Sequence, residues 1–382
     1  MKTATAMNQS TEWPKCILWG GYAHGNAGDE LMLAIALRDM SKRYGPSAVA
    51  VLSPYPGYTK ALFPESEVIP YVPASTSKRN TQVASVFRFL KKRYAFSQNR
   101  YEVSIHFSYD TANGWAGVIK QCELLYLVGG GYLTDLFDLE SLLLPVEAAR
   151  FHGVEVETAP LGVGPFKCAW NAGKLQSALR DAHIRVRDVD SQIICNNLGI
   201  TAELQRDDGF RVREVIAFDA AVGIGDCPIG INFYMQPGSA NGETVINWWR
   251  EILILLKSSG LPVEGFCFHN SPQSDFSETV QLFLDAGLPR KLVRAPDFDF
   301  RDACAQVAKY RAILTARFHA AVVAGVAGIP AIAIADGQYY RSKMISACHG
   351  YPASQLVDVS VTEPTEILEA LQRAASPESQ RN

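Results

Sequence analysis

Short apolar runs rich in β-forming residues recur along the chain, and each leads into a longer stretch with helical spacing. Cys16 to Gly20 precedes Asp29 to Tyr44, Leu124 to Val128 precedes Asp138 to His152, and Ile184 to Arg187 precedes Val189 to Leu198. That rhythm predicts parallel sheets with helices on both faces. It pauses at Asp207-Asp208-Gly209 and resumes with Pro228 to Tyr234, followed by strands near Val263 to Phe268, Ile313 to Thr315 and Ala331 to Ala335. The expectation is an α/β fold with two Rossmann-like domains facing across a cleft. The first domain takes residues 16–210, a linker region 211–227 and the second domain 228–375, with a flexible N-terminus over 1–15 and a disordered tail over 376–382. The helical pattern Pro364 to Ala374 follows the last strand and is expected to cross back onto the first domain. There is no internal repeat or low-complexity tract.

Composition agrees with two domains, because 382 residues exceed what one hydrophobic core usually supports. With 48% hydrophobic and 20% charged residues, the chain reads as an ordinary water-soluble globular protein. A net charge of −3 and the lack of a long Lys/Arg run argue against nucleic acid as a partner, so any anion site must be built locally. Eight cysteines stand singly, without metal-ligand spacing, and read as reduced thiols of a cytoplasmic protein that needs no metal. Residues Met1 to Pro14 lack the apolar core of a signal peptide, and the longest apolar run, Ala320 to Ala335, is broken by Gly325, Gly328 and Pro330. No integral membrane segment is expected.

Ligands of open α/β sheets sit beyond the carboxyl ends of the strands, so the residues there carry the candidate chemistry. The glycine-rich loop Gly20 to Glu30 resembles a phosphate cradle, but Asp29 and Glu30 in the first helical turn would repel a phosphate. Asn26 and Asp29 either fix this loop or meet a substrate hydroxyl, and His24 is exposed by its glycine neighbours. Gly129-Gly130-Gly131 permits close backbone approach to a ligand or simply makes a tight turn, and Gly162 to Pro165 reads the same way. Arg187 ends a strand where it can grip a carboxylate or phosphate, or form a surface salt bridge, while Asp188 can cap the next helix. Arg317-Phe318-His319 opens an almost wholly apolar helix, which favours an anion-binding arginine and an acid/base histidine over a mere cap. Lys343 can add a third cation, and His269 and Asp275 follow another strand.

Taken in order, Asn26 to Glu30, Gly129 to Gly131, Gly164-Pro165, Arg187-Asp188, Arg317-x-His319, Gly328-x-Pro330 and Tyr340-x-x-Lys343 resemble the polysaccharide pyruvyl transferase family, over most of the chain. The resemblance implies a glycosyltransferase-B-like architecture and transfer of pyruvate from phosphoenolpyruvate, as co-substrate, to hydroxyls of a sugar acceptor, giving a ketal. It implies no cofactor and no metal. The acceptor would be a lipid- or nucleotide-linked glycan precursor or a cell-surface polysaccharide, and the location cytoplasmic or peripheral at the inner membrane face. On this basis Arg187 and His319 are catalytic, with His319 the acid. Arg317, Lys343, Gly130 and Gly131 bind the donor, and His24, Asn26, Asp29, Asn232 and His269 face the acceptor. One departure stands out: where family members often carry Ser-x-Arg, this chain has Gly230-Ile231-Asn232-Phe233. That leaves open a ketal, an enolpyruvyl ether, or a different acceptor. The competing expectations are a glycosyltransferase of the same architecture using a nucleotide sugar, and a non-catalytic carbohydrate- or nucleotide-binding protein.

Overall fold

Cys16–Trp19 (β1) and Leu124–Leu127 (β4) are buried at every position, as strands covered by helices on both faces must be. They form the centre of a parallel sheet completed by β2 (Val49–Ser53), β3 (Glu67–Pro70) and β5 (Glu155–Thr158), in the order β3-β2-β1-β4-β5. Parallel bridges Glu157–His183 and Leu161–Val186 carry the ladder on to β6 (Ile184–Val186), which pairs with β7 (Ala202–Leu204). A second parallel sheet contains β8 (Ile229–Asn232), β9 (Val263–Gly265), β10 (Ala312–Thr315), β11 (Ala331–Ala335) and β12 (Gln355–Asp358), in the order β12-β11-β10-β8-β9. The computed structural model describes residues 13–71, 114–218, 227–235, 242–270, 275–351 and 353–374. Most of the expected flexible N-terminus and all of the expected tail lie outside them.

The helices of the first half are α1 (Ala27–Tyr44), α2 (Pro56–Leu62), α3 (Trp115–Ile119), α4 (Leu139–Phe151), α5 (Ala169–Leu179) and α6 (Val189–Asn197). Those of the second are α7 (Gly242–Ser258), α8 (Ser277–Asp285), α9 (Phe300–Val307), α10 (Phe318–Ala327), α11 (Gln338–Cys348) and α12 (Pro364–Ala374). Asn26 caps α1 by accepting from Gly28 N at 3.1 Å, and Asp188 caps α6 by accepting from Ser191 N at 2.7 Å. Residues Phe318 to Gly325 of α10 are all buried, so this helix lies at the centre of the molecule.

One expectation is corrected: the closing helix α12 does not cross to the first domain. Its apolar stripe, Ile367, Ala370 and Leu371, joins Val245, Trp248 and Trp249 of the neighbouring α7, and Trp248 Nε1 donates to Thr362 O at 2.7 Å. The stretch expected as a linker begins as an ordered 3₁₀ helix, Asp208–Glu214, wedged between α1 and α10. Its Arg211 forks onto Asp39 of α1 at 2.6 and 2.8 Å.

The two halves share one apolar cluster in which Leu31, Met32 and Ile35 of α1 meet Phe300 of α9 and Val322 of α10. They are also stitched by backbone: Asn26 and His269 form an antiparallel bridge, flanked by Ala27 N donating to Phe268 O at 3.0 Å and Asn270 N donating to Gly25 O at 2.8 Å.

Candidate active site

In the first sheet the strand order reverses between β1 and β4, and in the second between β8 and β10. Chains leaving such neighbouring strands diverge to opposite faces and leave a crevice at the carboxyl edge. The two crevices face each other and merge into a cleft of about 720 Å³. Arg187, Arg317, His319 and Lys343 all line it, so the structure brings together the cations and the histidine expected from the sequence.

Arg187, just past β6, is buried and donates from Nη1 to Asp207 Oδ2 at 3.0 Å. Its guanidinium stacks 4.5 Å from the centroid of Phe318, and Gly131 and Gly162 leave it room: a Cβ on either would lie 2.8 or 3.0 Å from Nη2. His319 sits in the first turn of α10, with Nε2 3.5 Å from Asp207 Oδ1. Its Nδ1 edge packs on Gly28 of α1, where a Cβ would fall 2.1 Å away.

Arg317 is held from the second domain. Its Nε donates to Asp275 Oδ1 at 3.1 Å, its Nη2 donates to the same oxygen, and its guanidinium lies 3.5 Å from the Tyr234 ring centroid. Asp275 is fully buried, which opposes its ionisation. The Arg317 charge, together with donation from Asn232 Nδ2 and Phe268 N, each at 3.0 Å, outweighs this and holds the carboxyl below its ordinary range. Asp275 therefore braces Arg317 from beneath the cleft. Lys343, on α11, lies 5.6 Å from the Phe318 ring centroid. Burial, reinforced by the charges of Arg187 and Arg317, pushes its ammonium down to about 7.

The glycine-rich loop works differently from a cradle. Asn26 Oδ1 is used on the cap and its Nδ2 donates to Asp29 Oδ2 at 2.7 Å, so its amide fixes the loop while its edge lines the cleft with Asp29. Glu30 turns back beneath the loop and accepts from Ala23 N at 2.9 Å. Burial, aided by Asp29, raises its carboxyl to about 8, leaving it neutral. His24 and His269 also line the cleft, His24 edge-on to Tyr55 at 5.4 Å.

Two expected contacts are absent from the cleft wall. Asn232 lies fully buried beneath the floor, where its amide is spent on the strand ends around it, donating to Phe266 O and Asp275 and accepting from Thr315 Oγ1 at 2.9 Å. Gly130 adopts φ +150° and its carbonyl accepts from Gly162 N at 2.7 Å, so of the pair only Gly131 reaches the cleft.

The sequence reading missed a wall of apolar surface. Tyr55, Leu136 and Phe137 line the cleft although each is about half exposed. They follow β2 and β4, and aromatic residues in a strand-end loop would have been the available signal. Asp207 was also missed as a site residue. Among the described residues, no group of three or more His, Cys, Asp or Glu side chains is arranged to hold a metal ion.

Residues 26–337 match the family described as polysaccharide pyruvyl transferase. No curated protein sequence matches the chain. Among solved structures, S. aureus MnaA in complex with UDP superposes with a TM-score of 0.60 at 10% identity, covering 96% of this chain and 88% of that one. A Listeria monocytogenes protein assigned as a UDP-N-acetylglucosamine 2-epimerase gives 0.57 at 13% identity, covering 96% and 89%. A further UDP-N-acetylglucosamine 2-epimerase gives 0.55 at 12%, covering 97% and 89%. At such identities the likeness is one of fold: two Rossmann-like domains facing across a cleft, in the glycosyltransferase-B manner.

Proposed function

Because the chain belongs to the polysaccharide pyruvyl transferase family, we propose that it moves a pyruvyl group from phosphoenolpyruvate to two hydroxyls of a sugar in polysaccharide or glycan-precursor biosynthesis. The observation that carries this reading is the convergence of Arg187, Arg317 and Lys343 with His319 on one cleft. Phosphoenolpyruvate bears a carboxylate and a phosphate, about two to three negative charges, and fixed cations from both domains suit it. Its methylene carbon is a poor base and needs a positioned acid.

In this reading His319 protonates the methylene carbon, which makes the neighbouring carbon electrophilic. A sugar hydroxyl adds there and returns its proton to His319. A second hydroxyl then displaces phosphate, its proton leaving with the phosphate, and the ketal closes. The cations stabilise the negative charge as the carbon–oxygen bond to phosphate breaks. The aromatic faces of Tyr55 and Phe137 supply apolar surface against which a sugar ring can stack, which supports a carbohydrate acceptor. All eight cysteines are free thiols, which supports a reducing, cytoplasmic location, and among the described residues no helix is long and apolar enough to cross a membrane.

The test is incubation with phosphoenolpyruvate and a panel of free, nucleotide-linked and lipid-linked sugars, followed by phosphorus NMR and mass spectrometry. Phosphate release with a pyruvyl mass gain on one acceptor is expected. Consumption of a nucleotide sugar with phosphoenolpyruvate left intact would replace this reading with a glycosyltransferase, and binding without turnover would replace it with a binding protein. His319→Ala is expected to lower turnover by about 10³-fold while retaining donor binding. Substantial residual turnover would remove His319 from the acid role.

A further inference from the structure

β6 and β7 run side by side with Val186 opposite Leu204, so Arg187 and Asp207, a few residues on, come together at the cleft's edge. Three groups converge on the Asp207 carboxylate from three parts of the fold. Arg187 Nη1 reaches Oδ2 at 3.0 Å from just past β6, Gly209 N reaches Oδ1 at 2.8 Å from the 3₁₀ helix Asp208–Glu214, and His319 Nε2 stands 3.5 Å from Oδ1 on the second domain's helix α10. Asp207 is only 3% exposed and does not line the cleft, so it cannot touch substrate. Burial opposes its ionisation, but the charges of His319 and Arg187 and the Gly209 N–H outweigh that and hold its carboxyl well below the ordinary range. Asp208 follows it, Asp29 of α1 and Lys343 of α11 also bear on this cluster, and none of them takes its place between the arginine and the histidine.

We propose that Asp207 is a positioning residue for pyruvyl transfer, a carboxylate at the close of the first domain that aligns that domain's Arg187 and the second domain's His319 as one unit. The proposal rests on the pyruvyl-transfer reading above. With Nε2 facing the carboxylate and the Nδ1 edge seated on Gly28, whose missing side chain gives the ring its room, the imidazole is held in one orientation at the cleft. The carboxylate is needed because one oxygen accepts from Arg187 while the other accepts from Gly209 N and faces the Nε2 edge of His319. An asparagine has one oxygen, and its NH₂ would have to face either the guanidinium or the Gly209 and His319 donors.

Asp207→Asn therefore keeps the volume and breaks the alignment. Two readouts are taken on the full chain, with Asp208→Asn as the neighbouring control. The first is ¹⁵N NMR of the imidazoles without substrate, with His319 identified among the seven histidines by loss of its signal in His319→Gln. A carboxylate-bonded Nε2–H is expected in the parent protein and in Asp208→Asn, and its loss is expected in Asp207→Asn. The second is steady-state kinetics with phosphoenolpyruvate, where Asp207→Asn is expected to lower kcat about 10²-fold, more than it raises KM. Retention of the Nε2–H signal, or a kcat per folded molecule within about threefold of the parent, overturns the proposal. If the parent protein transfers no pyruvyl group to any acceptor, the functional reading fails. The imidazole spectrum would then still decide whether Asp207 sets His319.

Discussion

Each half of the molecule supplies the cleft with one arginine, and each arginine is pinned by a buried aspartate and laid on an aromatic ring: Arg187 with Asp207 and Phe318, Arg317 with Asp275 and Tyr234. The geometry is alike and the surroundings are not. Asp275 shares its oxygens with Asn232 and the Phe268 N–H, groups of its own domain, whereas Asp207 faces His319 across the domain boundary. One pair is held by groups of its own domain, and the other faces the histidine to which the proposed mechanism gives the proton. On that reading, two arginines of similar local environment divide into binding and chemistry by what else their carboxylates hold.

Arg187→Ala should give the largest effect, because it removes a guanidinium from the cleft and leaves a buried carboxylate short of its main partner. Loss of about 10³-fold in kcat/KM is expected, with destabilisation of about 3–5 kcal/mol in denaturant unfolding. Gly28→Ala tests the same arm from its other side. A methyl 2.1 Å from His319 Nδ1 must displace the ring, so kcat should fall about 10²-fold while donor binding persists. Arg317→Ala should instead act mainly on KM for phosphoenolpyruvate, raising it roughly tenfold with a smaller fall in kcat than Arg187→Ala gives. An equal fall in kcat for the two arginine variants would erase the asymmetry.

Lys343 belongs to neither pair and would report a bound donor. Its ammonium, pushed down to about 7 by burial and the neighbouring arginines, would be raised by an anion beside it. Donor affinity should therefore be highest below pH 7 and weaken as pH climbs through 7, with proton uptake on binding detectable by calorimetry in buffers of different ionisation enthalpy. Lys343→Gln should abolish the uptake and cost about tenfold in affinity. The smallest effect is expected from Glu30→Gln, which touches the loop beneath the first-domain arm and none of the charged pairs. Glu30 is raised from 4.5 to about 8, so the folded state binds more protons than the unfolded chain between those values. Its contribution is fully present below pH 4.5 and lost as pH rises through 8. The variant should flatten that part of the profile of Tm against pH without changing turnover.

The strands at the centres of the sheets and the cations at their ends were legible because burial on both faces writes continuous apolar runs, and polar residues immediately after such runs stand out. Arg187 and Arg317 share that signature, with His319 two residues on, whereas Lys343, eight residues past β11, stood out only through the family's Tyr340-x-x-Lys343 pattern. Asn232 shares the signature too but lies under the floor, since a strand-end polar residue can top a sheet or face its helices and the one-dimensional pattern does not say which. Asp207 read as a domain boundary, and its role depends on two partners 20 and 112 residues away in sequence, at Arg187 and His319. For α12, an amphipathic stripe announces that a partner exists without naming α7. Gly28 was visible in the motif, but its purpose depends on a ring delivered by the other domain.

The backbone stitch at Asn26 and His269 has a mechanical meaning. It fixes the gap between the halves just past β1 in one sheet and just past β9 in the other by main-chain bonds. Because the bonds are the backbone's own, replacing the side chain of His24 or His269 alters what that wall of the cleft offers a ligand without undoing the seam that holds it.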